Sequence, residues 1–144
     1  MSTAVAERKK EPSLRDMFMV PKVVDGISAA LAGYMDSKQF LNQILISFQS
    51  DAIVPCTLQS KFEAAHQCAA LGLLPSLSHV ALIPREIKGI GLCCTVMPQW
   101  QGMQALMLRH PDVESVKAVL VHTKDTYTVD PITEAILHRY DPFD

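Results

Sequence analysis

A change in the spacing of apolar residues near residue 79 constrains the fold more than any other feature of the sequence. Between residues 14 and 72, apolar side chains recur every three to four positions, which predicts amphipathic helices. Between residues 79 and 97 they form two short apolar runs of strand length instead. The runs flank a polar segment with a glycine, residues 85–89, which predicts a β-hairpin with its turn there.

After the hairpin, the pattern predicts one more helix and one more strand. Helical spacing returns over residues 100–109, with Met103, Leu106 and Met107 on one face. Residues 113–122 alternate as a strand does, and the segment from residue 123 onward is acidic and weakly patterned. The predicted fold class is α+β, with N-terminal helices packed on a small antiparallel sheet in the order hairpin, helix, strand.

Capping residues predict where several helices begin and end. Asp36, with Gln39 at the third helical position, predicts one N-terminus, and Thr57 predicts another. Gly72 fits the position just past the end of the helix that Thr57 begins. Pro21 separates the first helical segment into two pieces. Residues 1–13 are predicted to form a mobile polar arm.

The charge balance excludes one class of nucleic-acid-binding protein. The formal net charge is −2 and charged residues make up 19% of the chain, so binding of phosphates through bulk positive charge is excluded. Residues 61–110 are mildly basic, because Lys61, Arg85, Lys88 and Arg109 outnumber two acids.

The only tryptophan, Trp100, lies beside three glutamines in this mildly basic segment. Cations near a flat aromatic ring and amide side chains suit single-stranded nucleic acid, in which backbone charge and base stacking share the binding. In the alternative interpretation, Trp100 anchors the core and the four cations are ordinary surface residues. Composition by itself favours this alternative.

The sequence contains no recognisable catalytic constellation, which predicts a protein that is not an enzyme and has no catalytic residue, metal or cofactor. The four cysteines, Cys56, Cys68, Cys93 and Cys94, have no CxxC spacing and favour buried thiols in a reducing compartment. The five histidines lack metal-binding spacing. Asp112 and Glu114 are the weak basis for a metal-dependent nuclease as a further alternative.

Residues 89–108 carry no charge, so a membrane span has to be considered. Pro98, three glutamines and three glycines make this stretch a poor match to lipid. It is predicted to be a buried strand that leads into a helix. No apolar signal-peptide core occurs near the N-terminus, and we expect a soluble cytoplasmic protein without a membrane partner.

Three short motifs occur in order between residues 72 and 102. A helix ends in Gly72-Leu73-Leu74-Pro75, a strand ends in Leu82-Ile83-Pro84, and the return strand leads into Trp100-Gln101-Gly102. Together with the spacing of the preceding helices, these motifs make residues 30–122 resemble the RecT family of phage and prophage single-strand DNA annealing recombinases. Residues 125–129 and 137–138 are similar to the continuation of that family.

The resemblance implies that the chain binds single-stranded DNA and anneals it to a complementary strand in DNA recombination and repair, without ATP. It also implies homo-oligomeric rings or helical filaments and a partner exonuclease that supplies the strand. Cations would hold the phosphate backbone and leave the base edges free for pairing, giving an annealed duplex. The DNA-binding residues predicted on this basis are Arg85, Lys88, Trp100, Gln101, Arg109 and Lys117. Trp100 could instead support the groove from beneath.

Two departures from the family pattern affect these expectations. Gln101 stands where the family usually has lysine or arginine, so a charge-assisted hydrogen bond, about twice as strong as a neutral one, is lost. The sequence also stops at Asp144, where the family continues through more strands and a lysine-rich helical region. It is therefore expected to be a truncated form, a prophage remnant or a natural short form.

The family pattern also sets the expected domain organisation. Residues 14–122 would form a RecT-like N-terminal core, incomplete relative to the family. Residues 123–144 would be an acidic tail or the start of the missing C-terminal half. An exposed edge strand and apolar surface would then favour self-association. The alternative function is an oligomerisation or interaction module, or an inactive prophage remnant, with no DNA binding of its own.

Overall fold

A computed structural model describes residues 12–140. Within them the chain forms α1 (Leu14–Phe18), α2 (Pro21–Leu31), α3 (Ser37–Ser47), α4 (Leu58–Leu71), β1 (Val80–Ile87), β2 (Gly91–Pro98), α5 (Trp100–Met107), β3 (Thr126–Val129) and β4 (Ile136–Arg139). Helices followed by an antiparallel hairpin and another helix confirm the α+β prediction. The predicted mobile arm lies almost wholly outside the described residues.

The predicted helix ends are confirmed. The carboxylate of Asp36 accepts a hydrogen bond from the backbone N–H of Gln39 at 2.9 Å, and the hydroxyl of Thr57 accepts one from the N–H of Ser60 at 3.3 Å. Each bond satisfies a donor that has no partner inside its helix. Gly72 ends α4 with a φ of +59°, in the left-handed region that glycine adopts without steric penalty.

Helix α4 lies at the centre of the hydrophobic core. It packs against α2 on one side and against β2 on the other. Its buried positions between Ala64 and Ala69 carry small side chains, which let these neighbours approach closely. The largest fully buried side chains of the core come from the surrounding segments: Phe18, Leu31, Phe40, Leu41, Ile44, Phe48, Ile53 and Leu73.

Strands β1 and β2 pair antiparallel along their full length, which confirms the predicted hairpin. The predicted turn at residues 85–89 is wrong in its position, because residues 85–87 are paired in β1 and residues 88–90 form the connection. The glycines explain how so short a connection closes. Gly89 has a φ of +85° and Gly91 one of +102°, values that other residues rarely adopt.

The outer edges of β1 and β2 differ in their hydrogen bonding. The outer edge of β2 is covered by the start of α4, because the N–H of Thr57 donates to the carbonyl of Leu92 at 2.8 Å. The outer edge of β1 contains Pro84, which lies opposite Cys94. Since the N–H of Cys94 is directed outward to Ser60, this pair has no ladder bond to lose, and proline is tolerated there.

The predicted strand at residues 113–122 is wrong. These residues form neither helix nor strand and pair with no strand among residues 12–140. Val119, Leu120 and Val121 are exposed, with Leu120 at 81%. Alternating apolar residues produce a strand only where a partner strand and an apolar layer can receive them, and the described structure offers neither at this segment.

Beyond residue 122 the described structure contains a second hairpin that the weak pattern did not predict. Strand β3 pairs antiparallel with β4, and the carboxylate of Asp130 accepts hydrogen bonds from the N–H groups of Ile132 and Thr133 at the turn. These bonds hold the pKa of Asp130 below its ordinary value. In β4, Nε2 of His138 lies 2.7 Å from Oδ2 of Asp125, the residue just before β3.

The uncharged stretch at residues 89–108 forms strand β2 and helix α5, which confirms the predicted strand and helix. The predicted burial of the strand holds only at Cys93 and Cys94. Among residues 12–140, no helix has both the length and the apolar character that a membrane crossing requires.

Candidate nucleic-acid interface

Two of the predicted DNA-binding cations lie near the free end of the β1–β2 hairpin. Arg85 lies in β1 opposite Cys93, and Lys88 begins the connection to β2. Both side chains are exposed. Leu82 packs against the core, and neighbouring residues in a strand point to opposite faces, so Arg85 points away from the core. Arg85 and Lys88 therefore present positive charge to solvent, although the exposed Glu86 lies between them in the sequence.

The opposite end of the hairpin is joined rigidly to α5. The backbone N–H of Gln99 donates to the carbonyl of His79 at 2.8 Å, and the N–H of Met103 donates to Gln99 at 2.9 Å. Gly102 is buried directly against the backbone of His79, where a Cβ atom would overlap the carbonyl oxygen. This close approach fixes the first turn of α5 relative to β1.

Trp100 is not a core anchor. Its side chain is 43% exposed and lies outside the core cluster. Met103 and Met107 are similarly exposed, and their spacing places them with Trp100 on one side of α5. Of the three residues predicted to share a face of this helix, Met103, Leu106 and Met107, only Leu106 packs against the core.

Gln101 is exposed beside Trp100 in the first turn of α5. The residue before the helix, Gln99, makes no side-chain capping bond. Backbone N–H groups at the start of a helix and the positive end of its dipole both favour a nearby anion. The uncharged amide of Gln101 adds hydrogen-bonding capacity there but no charge.

The predicted residues do not form one compact cluster. Arg85 pairs with Cys93, and about 17 Å of strand separates Cys93 from the end of β2, where α5 begins. The cations thus lie toward one end of the hairpin, and the aromatic and amide side chains lie at the other. The predicted residues are therefore spread along the hairpin rather than gathered in a pocket.

Lys117 is exposed in the irregular segment that follows α5. The amide Nε2 of Gln104 donates to the carbonyl of Val116 at 2.8 Å and ties this segment to the helix. Lys117 directly follows Val116, the residue that this bond anchors to α5, although the segment itself forms no strand.

A comparison with protein families now identifies the group to which this fold belongs. The model of the RecT family matches residues 38–143. The chain belongs to the RecT family. The match begins in α3 and runs through α4, both hairpins and α5, so it includes every predicted DNA-binding residue. Searches of curated proteins and of solved structures find no significant match.

Membership of the RecT family associates the chain with single-strand annealing recombination. The motifs on which the resemblance rested have structural roles in the described fold. Gly72 ends α4 in the left-handed conformation, Pro84 lies on the outer edge of β1, and Gly102 allows α5 to contact His79.

Two cations of the basic segment are engaged by the fold of this RecT family member. Lys61 is buried, at 7% exposure, and its ammonium donates to the carbonyl of Val54 at 2.8 Å. Arg109 is exposed, but its guanidinium donates to the carbonyls of Leu71 and Gly72. Burial therefore removes the charge of Lys61 from the surface of the basic segment, and a DNA contact by Arg109 stays a prediction.

The four cysteines are free and buried, as predicted. Burial raises the pKa of Cys68 to about 12 and that of Cys94 to about 11, and it also raises the pKa of Cys56. Such thiols stay protonated near neutral pH and are poor nucleophiles. Within the described part of the chain, no three His, Cys, Asp or Glu side chains are grouped so that they could hold a metal ion.

Proposed function

We propose that this RecT family member binds single-stranded DNA along the β1–β2 hairpin and the first turn of α5, and anneals it to a complementary strand without ATP. The observation that carries the proposal is the exposure of Trp100 on a helix fixed to the base of a hairpin whose cations face solvent. Family membership supports the same activity.

The mechanism requires no bond chemistry. Arg85 and Lys88 hold phosphates at the free end of the hairpin, and Lys117 adds a contact beyond α5. Trp100 stacks on a base, and Gln101 donates to the backbone beside it. A stretch of about 17 Å corresponds to roughly five nucleotides at the ~3.4 Å rise of a strand in duplex DNA, the form that annealing produces. Because these contacts reach phosphates and one base face, the base edges stay free to pair with a second strand.

A single copy of the protein is expected to bind single-stranded DNA with modest affinity. The chain carries a net charge of −2, and Gln101 supplies no charge where it would assist a phosphate contact. Assembly of several copies along one strand would multiply these weak contacts. Rings or filaments, and the delivery of DNA by an exonuclease, belong to this proposal.

Fluorescence anisotropy with a labelled single strand at low and moderate salt tests the proposal. Arg85→Ala and Lys88→Ala should each weaken binding and lower the slope of log affinity against log salt by about 0.7, the loss of one phosphate contact. Lys38→Ala removes an exposed cation from α3 and serves as the matched control. Equal effects of all three variants would contradict the proposed surface.

A second candidate function is an assembly module without DNA binding of its own. The exposed side chains of Val119, Leu120 and Val121 favour it, since contiguous exposed apolar residues mark interaction surfaces. Sedimentation over a range of concentrations, together with the anisotropy titration, separates the two functions. Assembly in the absence of any DNA binding would support the module, whereas salt-sensitive binding supports the annealing function.

A further inference from the structure

We infer that Arg109 is a positioning residue that holds the C-terminal end of α5 against the end of α4, and so sets the orientation of the helix that presents Trp100 and Gln101. This inference rests on the proposed function for its effect on DNA, although its structural part can be tested without DNA. It assigns to Arg109 a role different from the phosphate contact that the sequence predicted.

The guanidinium of Arg109 is bonded to the C-terminus of α4. Its Nη1 donates to the carbonyl of Leu71 at 2.6 Å, and its Nη2 donates to the carbonyl of Gly72 at 3.0 Å. Carbonyls at a helix C-terminus lack partners inside the helix, and the negative end of the helix dipole favours a cation there. Arg109 therefore satisfies both the hydrogen bonding and the charge of this helix end.

The same guanidinium lies over an aromatic ring from a third segment. Its Cζ atom is 4.3 Å from the ring centroid of Tyr34, in the connection between α2 and α3. Gly72 makes room for this arrangement, since a Cβ there would lie 2.9 Å from Cδ2 of Tyr34 and 3.0 Å from Nη2 of Arg109. A planar group that stacks and donates two bonds is a role that lysine cannot reproduce.

The contacts of Arg109 would affect DNA binding because they hold α5, the helix that presents Trp100. The backbone N–H of Arg109 donates to the carbonyl of Leu106 at 3.2 Å, so Arg109 continues directly from the helix. The other end of α5 is fixed where Gly102 meets His79. The helix that presents Trp100 is thus held at both ends, and loss of the Arg109 contacts would release one of them.

Two substitutions at Arg109 distinguish positioning from phosphate contact. A positioning role predicts that Arg109→Lys, which keeps the charge, and Arg109→Gln both weaken binding of a labelled single strand by about fivefold. The salt slope should stay that of the unchanged protein, whereas Lys88→Ala lowers it by about 0.7. Full affinity in Arg109→Lys, together with a lowered slope in Arg109→Gln, would overturn the inference.

Tyr34→Leu provides a second, charge-neutral test. It should weaken binding as Arg109→Gln does, and the double variant should be little weaker than either single one, because both act on one contact. His110→Gln, at the exposed neighbouring residue, is the matched control and should leave the affinity unchanged. Additive losses in the double variant would contradict the shared role.

The emission of Trp100 in DNA-free protein separates failure of this inference from failure of the proposed function. As the only tryptophan, it reports on α5 directly. Arg109→Gln, Arg109→Lys and Tyr34→Leu should shift its emission maximum, while His110→Gln should not. Unshifted spectra would overturn the inference even if DNA binds, and shifted spectra in a protein that binds no DNA would overturn only the proposed function.

Discussion

The hydroxyl of Ser60 accepts a hydrogen bond from the backbone N–H of Cys94 at 2.8 Å. The same hydroxyl donates to the carbonyl of Thr57 at 2.8 Å, so one buried side chain joins the first turn of α4 to the edge of β2. This bond positions the hairpin on the helical core, because it satisfies a donor on the edge of β2 that faces away from β1, where residues 12–140 supply no further strand.

Ser60→Ala should lower the free energy of unfolding by about 1–3 kcal/mol, since it leaves the buried N–H of Cys94 without a partner. Urea denaturation followed by circular dichroism measures this change. Ser115→Ala, at an exposed position, is the control and should have little effect. Equal stability of the two variants would show that the Ser60 bond does not hold the hairpin.

Two glycine-to-alanine substitutions should have opposite effects. Gly102→Ala should destabilise the protein, because the new Cβ overlaps the carbonyl of His79 and displaces α5. Gly26→Ala should stabilise it by about 0.5–1 kcal/mol, because Gly26 lies inside α2 with no atom near the added methyl group. Thermal denaturation of both variants checks the prediction, and a stable Gly102→Ala protein would contradict the close packing.

Lys61→Met should leave both the affinity for single-stranded DNA and its salt dependence unchanged. Lys61 is buried and bonded to Val54, so its charge does not reach a bound phosphate. Lys88→Ala, measured in the same anisotropy titration, should weaken binding. A reduced salt slope in Lys61→Met would instead place Lys61 at the interface.

The buried thiols predict a loss of stability at alkaline pH. Burial raises the pKa of Cys68 to about 12 in the folded protein, whereas the ordinary pKa of a thiol is 9.0. Between these values the unfolded state binds fewer protons than the folded state, so the free energy of unfolding falls as pH rises from about 9 toward 12. The stabilising contribution is fully present below pH 9.

Urea midpoints at pH 8 and pH 10 measure this decline. Cys68→Ala removes one ionising group and should have a shallower pH dependence than the unchanged protein, although it starts from a lower stability because it leaves a cavity. An identical pH dependence in the two proteins would exclude Cys68 as a contributor.

Local signals were sufficient to predict the helical half of the fold. Asp36, Thr57 and Gly72 mark helix ends through bonds and conformations that depend on only a few neighbouring residues. The segment at residues 113–122 was mispredicted because a strand depends on a partner, which apolar alternation does not reveal. The hairpin in the tail was missed because its strands are only four residues long.

The sequence suggested which residues form the candidate site, but it did not reveal how those residues are arranged. Sequence reasoning predicted DNA contacts for Trp100 and the hairpin cations, which are exposed in the structure, and the contacts themselves stay a prediction. It missed Tyr34, because the guanidinium that lies over its ring belongs to Arg109, far along the chain. It also missed Gln104, because its side chain donates to the carbonyl of Val116 across the bend that follows α5. Charge counting also treated Lys61 as a surface residue, because burial of a single lysine leaves no local signal.

Titration of the protein with single-stranded DNA, followed by the fluorescence of Trp100, tests the central claim most directly. Stacking of a base on the exposed ring should quench the emission, and the midpoint should move to higher DNA concentration as salt is raised. Trp100→Phe should retain more of the affinity, measured by anisotropy, than Trp100→Ala does. Binding of DNA with unchanged Trp100 emission, and with full affinity in Trp100→Ala, would contradict the proposed interface.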